Sequence, residues 1–127
     1  MSDVRGKMSD KIGFEKLEVF KRAYKTSLVV HKLSKTFPKD EQFSLADQLR
    51  RSTKSICANI AEGFARQVAS KKEFKRYVLI ALGSSDESRV WLRYSLDLGY
   101  VDEKLWKELS DEYSEISKML HGLYKAI

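Results

Sequence analysis

A single proline, a single cysteine and only six glycines stand in a chain of 127 residues. So few chain breakers exclude a many-turned β-protein and leave room for long helices. The lone Cys57 excludes an internal disulfide framework and fits a reducing compartment such as the cytoplasm. No apolar run reaches the length of a membrane span, and the N-terminus lacks the apolar core of a secretory signal. The two histidines, His31 and His121, are isolated and share no metal-ligand spacing with Cys57 or with each other. A phosphate-cradling glycine loop, a dinucleotide fingerprint and a nucleophile elbow are all missing. The sequence therefore assigns no metal, no cofactor and no catalytic residue, and it reads as a non-enzyme.

What is present suits one globular domain. Apolar residues make up 43% of the chain, and a chain of this length buries roughly two thirds of its unfolded surface. The formal charge of +6 is unevenly spread: residues 1–93 carry 20 of the 24 basic and 11 of the 18 acidic side chains. Such an excess favours anionic partners, RNA or DNA among them, or serves solubility alone.

Residues 1–13 read as a loose leader in which Met-Ser-Asp occurs at Met1 and again at Met8. The bundle then spans 14–127. Helix 1 is predicted from about Phe14 to Thr36, with Leu17, Phe20, Tyr24, Leu28 and His31 on its inner face, and Pro38 ends it. Helix 2 is predicted from Ser44, as N-cap, to about Ala65, with Leu45, Leu49, Thr53, Ile56, Ile60 and Phe64 inside. Helix 3 follows Ser70, which precedes Glu73 at capping-box spacing, and stops before Gly99. Helix 4 starts at Asp102 and carries Leu105, Trp106, Leu109, Tyr113, Ile116, Leu120 and Leu123. Four amphipathic helices with short connections predict an all-α, antiparallel, up-down-up-down four-helix bundle.

Helix 3 is apolar over an unusually wide arc. Phe74, Tyr77, Val78, Ala81, Ser85, Leu92 and Leu96 make one face, and Ile80, Trp91, Tyr94 and Leu98 extend it. That surplus points to burial against a second copy of the chain, or to a central place in a monomer. On helix 2, Gln48, Ser55, Asn59 and Arg66 form a polar strip flanked by Arg51 and Glu62. Such a strip bonds to a neighbouring helix, with Ser84 and Glu87 as natural partners, or lines a pocket built from Asn59, Glu62 and Arg66. Gly63 either lets a helix approach closely or marks the end of helix 2.

Three basic features stand out. Lys21, Lys25, Lys32 and Lys35 share a face of helix 1, and no acidic residue occurs between Val19 and Lys39. Arg50 and Lys54 form a small pair on helix 2. Lys71, Lys72, Lys75 and Arg76 crowd the start of helix 3, the wrong end for the helix dipole. Each is either a solvated face or a track for phosphates. Arg89 and Arg93 have Asp86 and Asp97 at ion-pair spacing.

The ordered run Phe37-Pro38, Leu45, Gln48-Leu49-Arg50-Arg51, Ser55-Ile56, Ala58 to Phe64, Arg66, Lys72-Glu73-Phe74, Ala81 to Ser84, Glu87 and Leu98-Gly99-Tyr100 resembles the four-helix bundle family of 23S rRNA intervening-sequence proteins. Its members are typically bacterial, and some are encoded by insertions within 23S rRNA genes. Asn59 to Gly63 is the most specific signature; Lys54 and Cys57 depart from the usual apolar residue and proline. The resemblance implies a homo-oligomer, a ring of five favoured, akin to accessory subunits of diversity-generating retroelements. The expectation is an accessory protein that meets RNA or DNA through its basic faces. The alternatives are a ring-shaped scaffold for a protein partner and an enzyme with an unrecognised interface site.

Overall fold

The structure, a computed structural model, describes residues 13–127. Of the leader predicted over 1–13, residues 1–12 lie outside the described residues, and Gly13 belongs to a 3₁₀ turn instead. Among the described residues there are four α-helices and no strand: α1 (Glu18–Ser34), α2 (Leu45–Arg66), α3 (Lys71–Asp97) and α4 (Glu103–Ala126). None is long and apolar enough to cross a membrane.

The helix ends follow local chemistry. Ser70 Oγ accepts from Glu73 N–H at 3.2 Å, and Asp102 Oδ1 accepts from Leu105 N–H at 2.8 Å, so each satisfies a donor that the first turn leaves open. Gly99 closes the far end of α3 at φ 83°, a conformation that a Cβ would strain. Ser44 departs from its predicted role. It precedes α2, but at φ −127°, ψ −106° its hydroxyl caps nothing, and Leu45 N–H turns to Glu41 Oε1 at 3.4 Å. The start of α1 is also later than predicted. Gly13–Lys16 form a 3₁₀ turn and Leu17 is extended, because the chain tucks Gly13 under the Phe64 ring and Phe14 edge-on to Phe20 at 5.0 Å.

α1 packs on α2 and α4, and α3 packs on the same two; among the described residues the backbones of neither diagonal pair come close. Helices adjacent in sequence are thus adjacent in space, as an up-down-up-down bundle requires. The core runs from Val19, Ala23 and Val30 through Leu49, Ile56 and Ile60 to Val78, Leu92, Tyr113, Ile116 and Leu120.

The inner face of α1 differs from the predicted one. Val19, Ala23, Thr26, Ser27, Val30 and Ser34 are buried, whereas Tyr24 and Leu28 are 52% and 49% exposed. Small side chains let α1 settle close to its neighbours. Phe20 stays half-buried against the core, as predicted, and the exposed Tyr24 stacks on it at 6.0 Å. α2 and α3 are also drawn together by small residues. A Cβ on Gly63 would lie 2.7 Å from Tyr77 Cβ, so Gly63 serves close approach, and α2 runs on past it to Arg66. Further along that seam Ser88 Oγ lies 2.9 Å from both Ser52 Oγ and the Ser84 carbonyl. The hydroxyls satisfy one another where water is excluded. Outside this seam, Leu79, Ile80, Val90, Tyr94 and Leu98 of α3 are exposed.

Candidate nucleic-acid interface

Lys21, Lys25, Lys32 and Lys35 are all exposed on α1, four positions that a 100° step puts on one face. Their surroundings differ along the helix. Near its start Lys21 Nζ pairs with Glu18 at 3.0 Å. Lys25 borders a groove between α1 and α4, beside Arg22 and Glu112, where Arg22 Nε and Nη2 donate to the Glu112 carboxylate at 2.9 and 2.7 Å. That fork raises the Arg22 pKa further and neutralises this end locally. Lys32 and Lys35, in the last turns, have no carboxylate partner among the described residues.

The same end of α1 meets the basic pair of α2. Arg50 is half-buried and spends its donors on the scaffold: Nη1 reaches Ser34 Oγ at 2.8 Å and Gln42 Oε1 at 3.2 Å, and Nη2 reaches the Gln42 carbonyl at 2.7 Å. Its charge remains, but its fork is occupied. Lys54 is exposed, and its Nζ lies 3.1 Å from His31 Nδ1. Partial burial, followed by the charges of Lys54, Lys35 and Arg50, holds the His31 pKa below the ordinary imidazole value. The α1–α2 seam therefore carries four basic side chains in register. His31 is the member that reasoning along the sequence missed, because its place beside Lys54 is set by the packing of α1 on α2.

The cluster at the start of α3 stands at the opposite end of the bundle, because α3 begins where α2 ends. Lys71 and Lys72 are exposed and have no carboxylate partner among the described residues. Lys75 Nζ sits 4.7 Å above the Tyr124 ring. Arg76 Nε pairs with Glu73 at 3.4 Å and its guanidinium covers Tyr77. Arg89 and Arg93 take the local pairs expected of them, with Asp86 at 3.9 Å and Asp97 at 3.1 Å.

The polar strip of α2 faces α3. Ser55 Oγ meets Ser84 Oγ at 2.9 Å, and Asn59 Nδ2 donates back to the Ser55 carbonyl and hydroxyl at 2.8 and 2.9 Å. Arg51 pairs with Asp47 and Arg66 with Glu62, each at 2.8 Å; Arg66 also lies over Tyr77. Gln48 is exposed. Ser84 is thus the α3 partner that the spacing predicted, while Glu87 instead accepts from Trp91 Nε1 at 3.0 Å. Of the apolar surplus, Ile80, Tyr94 and Leu98 are exposed, and Trp91 is half-buried with its ring 5.8 Å from that of Tyr94. Trp91, Tyr94 and Leu98 border a shallow groove with Leu45 and Gln48 at the start of α2.

The family described as 23S rRNA-intervening sequence protein matches residues 15–122. The chain belongs to that family. A 1.70 Å crystal structure of a protein of unknown function from the S23 ribosomal protein family of Bacteroides thetaiotaomicron is similar, with a TM-score of 0.76 and 26% identity. The alignment covers 84% of this chain and 95% of that one. No curated protein matches. Burial pushes the pKa of the Cys57 thiol up to about 11, which keeps it protonated at neutral pH. Among the described residues no group of three or more His, Cys, Asp or Glu side chains is placed to hold a metal ion.

Proposed function

We propose that this protein is a non-enzymatic, homo-oligomeric accessory protein of the bacterial cytoplasm that associates with RNA or DNA through its basic helix faces. The observation that carries the reading is the row of exposed cations along α1 and α2 that have no carboxylate partner among the described residues: Lys32, Lys35 and Lys54, with Lys25 nearby. Exposed ammonium groups of this kind attract a polyanion by releasing its counterions, with little regard to base sequence. The exposed Ile80, Tyr94 and Leu98, with Trp91 behind them, supply the surface for self-association. Family membership supports a ring, with five subunits favoured, which presents the cationic row once per subunit. Repetition converts weak single contacts into avidity. A protein-interaction scaffold is the competing reading, favoured by the same apolar surface of α3.

Size-exclusion chromatography with light scattering, recording absorbance at 260 and 280 nm, tests assembly and co-purifying nucleic acid together. The expected result is a closed oligomer that carries nucleic acid until washed in high salt. A clean monomer overturns the assembly. An oligomer that never binds RNA or DNA turns the reading to the scaffold.

A further inference from the structure

The basic residues at the α1–α2 seam are not scattered. His31 and Lys35 are four apart on α1, Arg50 and Lys54 four apart on α2, and the helices run antiparallel. His31 consequently faces Lys54 at 3.1 Å, and Ser34, next to Lys35, faces Arg50 at 2.8 Å. Four groups that are or can become cationic thus mark the corners of one small patch. Arg50 and Lys54 are like charges four apart, a spacing that weakens an isolated helix, so that pair runs against the stability of the free protein. The neighbouring elements do not relieve it. Every charged group acting on His31 is cationic: Lys35 on its own helix, Lys54 and Arg50 on α2, and none from α4 among the described residues. Glu41, in the segment joining the helices, is engaged by Leu45 N–H and the Tyr100 hydroxyl. Arg50 is pinned by Gln42 and Ser34, which gives the patch a fixed positive floor.

We propose that His31, Lys35 and Lys54, backed by Arg50, form a phosphate-binding site at the α1–α2 seam whose ligand is taken up together with a proton on His31. The site deepens the nucleic-acid reading above and rests on it only for the source of the phosphate, a phosphodiester of RNA or DNA. The Lys54 ammonium can only donate, so in its 3.1 Å contact His31 Nδ1 accepts and the ring of the free protein is neutral. A phosphate oxygen between them draws the ammonium away from the ring. The freed Nδ1 then takes a proton from solvent and donates to the same anion, so one proton enters for each phosphate bound. The neighbouring cations depress the His31 pKa in the free protein, and a bound anion offsets them. Binding therefore strengthens as pH falls, about tenfold for each unit by which the ligand raises the His31 pKa.

The test uses the full chain and the ring resonances of its two histidines, with His121 on α4 as internal control. Their pH titrations are followed by NMR alone, with millimolar pyrophosphate, and with a short single-stranded oligonucleotide. Both ligands are expected to raise the His31 midpoint by about half a unit or more and to leave His121 in place. The pyrophosphate shift is expected to collapse in Lys54→Met, whose retained alkyl stem keeps the fold. If pyrophosphate moves His31 and the oligonucleotide does not bind, the site stands and the nucleic-acid reading falls. If the oligonucleotide binds while His31 titrates unchanged, the nucleic-acid reading stands and this site is overturned. Unchanged titration with both ligands, or equal shifts of His31 and His121, also overturns it.

Discussion

Gly63 is the position where the packing of the bundle makes the sharpest demand. Replacing a mid-helix glycine with alanine ordinarily stabilises a helix by about 0.8–1 kcal/mol. At Gly63 the added Cβ falls 2.7 Å from Tyr77 Cβ, 3.2 Å from Phe74 Cδ1 and 3.3 Å from the Phe74 carbonyl oxygen. Two of those atoms belong to the framework of α3 and cannot swing aside, so α2 and α3 must separate toward the normal carbon–carbon distance of about 3.5–4.0 Å. Overpacking of this kind costs about 1–3 kcal/mol, which cancels the helix gain and leaves Gly63→Ala destabilised by about 1 kcal/mol. Gly83, within α3, has nothing among the described residues within 4 Å of its Cβ position, and Gly83→Ala keeps the full gain. The two variants should differ by about 2 kcal/mol, or roughly 6–10 °C in Tm for a chain of this size. Thermal melts followed by far-UV circular dichroism read the difference directly. Gly63→Ala melting with or above Gly83→Ala would refute the close approach of α2 and α3.

Other consequences are as direct. Ser70→Ala and Asp102→Ala should each cost about 1 kcal/mol in urea unfolding, whereas Ser44→Ala, whose hydroxyl caps nothing, should stay within about 0.5 kcal/mol. Tyr113 is fully buried and its hydroxyl has no hydrogen-bond partner among the described residues; Tyr113→Phe should therefore be neutral or stabilising in the same assay. Cys57 should resist a thiol reagent at neutral pH until the chain unfolds. Its raised pKa sets the sign of a pH effect. The stability it contributes is complete below the unfolded thiol value of about 8.5 and is lost as pH rises toward the folded value of about 11, which urea midpoints at rising pH would show.

The four helices, their stops and the capping serine and aspartate were legible because periodicity, Pro38, Ser70, Gly99 and Asp102 act locally. The inner face of α1 was not. Tyr24 and Leu28 make the more obvious apolar stripe, yet Ala23, Ser27 and Ser34 lie inside, because close approach rewards small side chains and a hydropathy pattern rewards large ones. The buried serines of α3 were partly hidden for the same reason: Ser88 reads as polar until Ser52 is brought to 2.9 Å. The Ser84 contact of the polar strip was readable from spacing on two helices. The basic residues were visible singly, but their environments depend on tertiary neighbours. No local signal showed that Arg50 would be occupied by Ser34 and Gln42, that Lys75 would lie on Tyr124, or that His31 would join Lys54.

The central claim, that the α1–α2 cations meet nucleic acid, is tested most directly by fluorescence anisotropy with labelled single-stranded RNA across a salt series. Four contacts from Lys25, Lys32, Lys35 and Lys54 would give a log–log slope near −2.8, a loss of about 50-fold between 50 and 200 mM salt. Reversing Lys32, Lys35 and Lys54 to glutamate should abolish binding while leaving the helical melt in place. No binding by nucleic-acid-free protein at about 50 mM salt, or binding that the triple reversal leaves intact, would contradict the account.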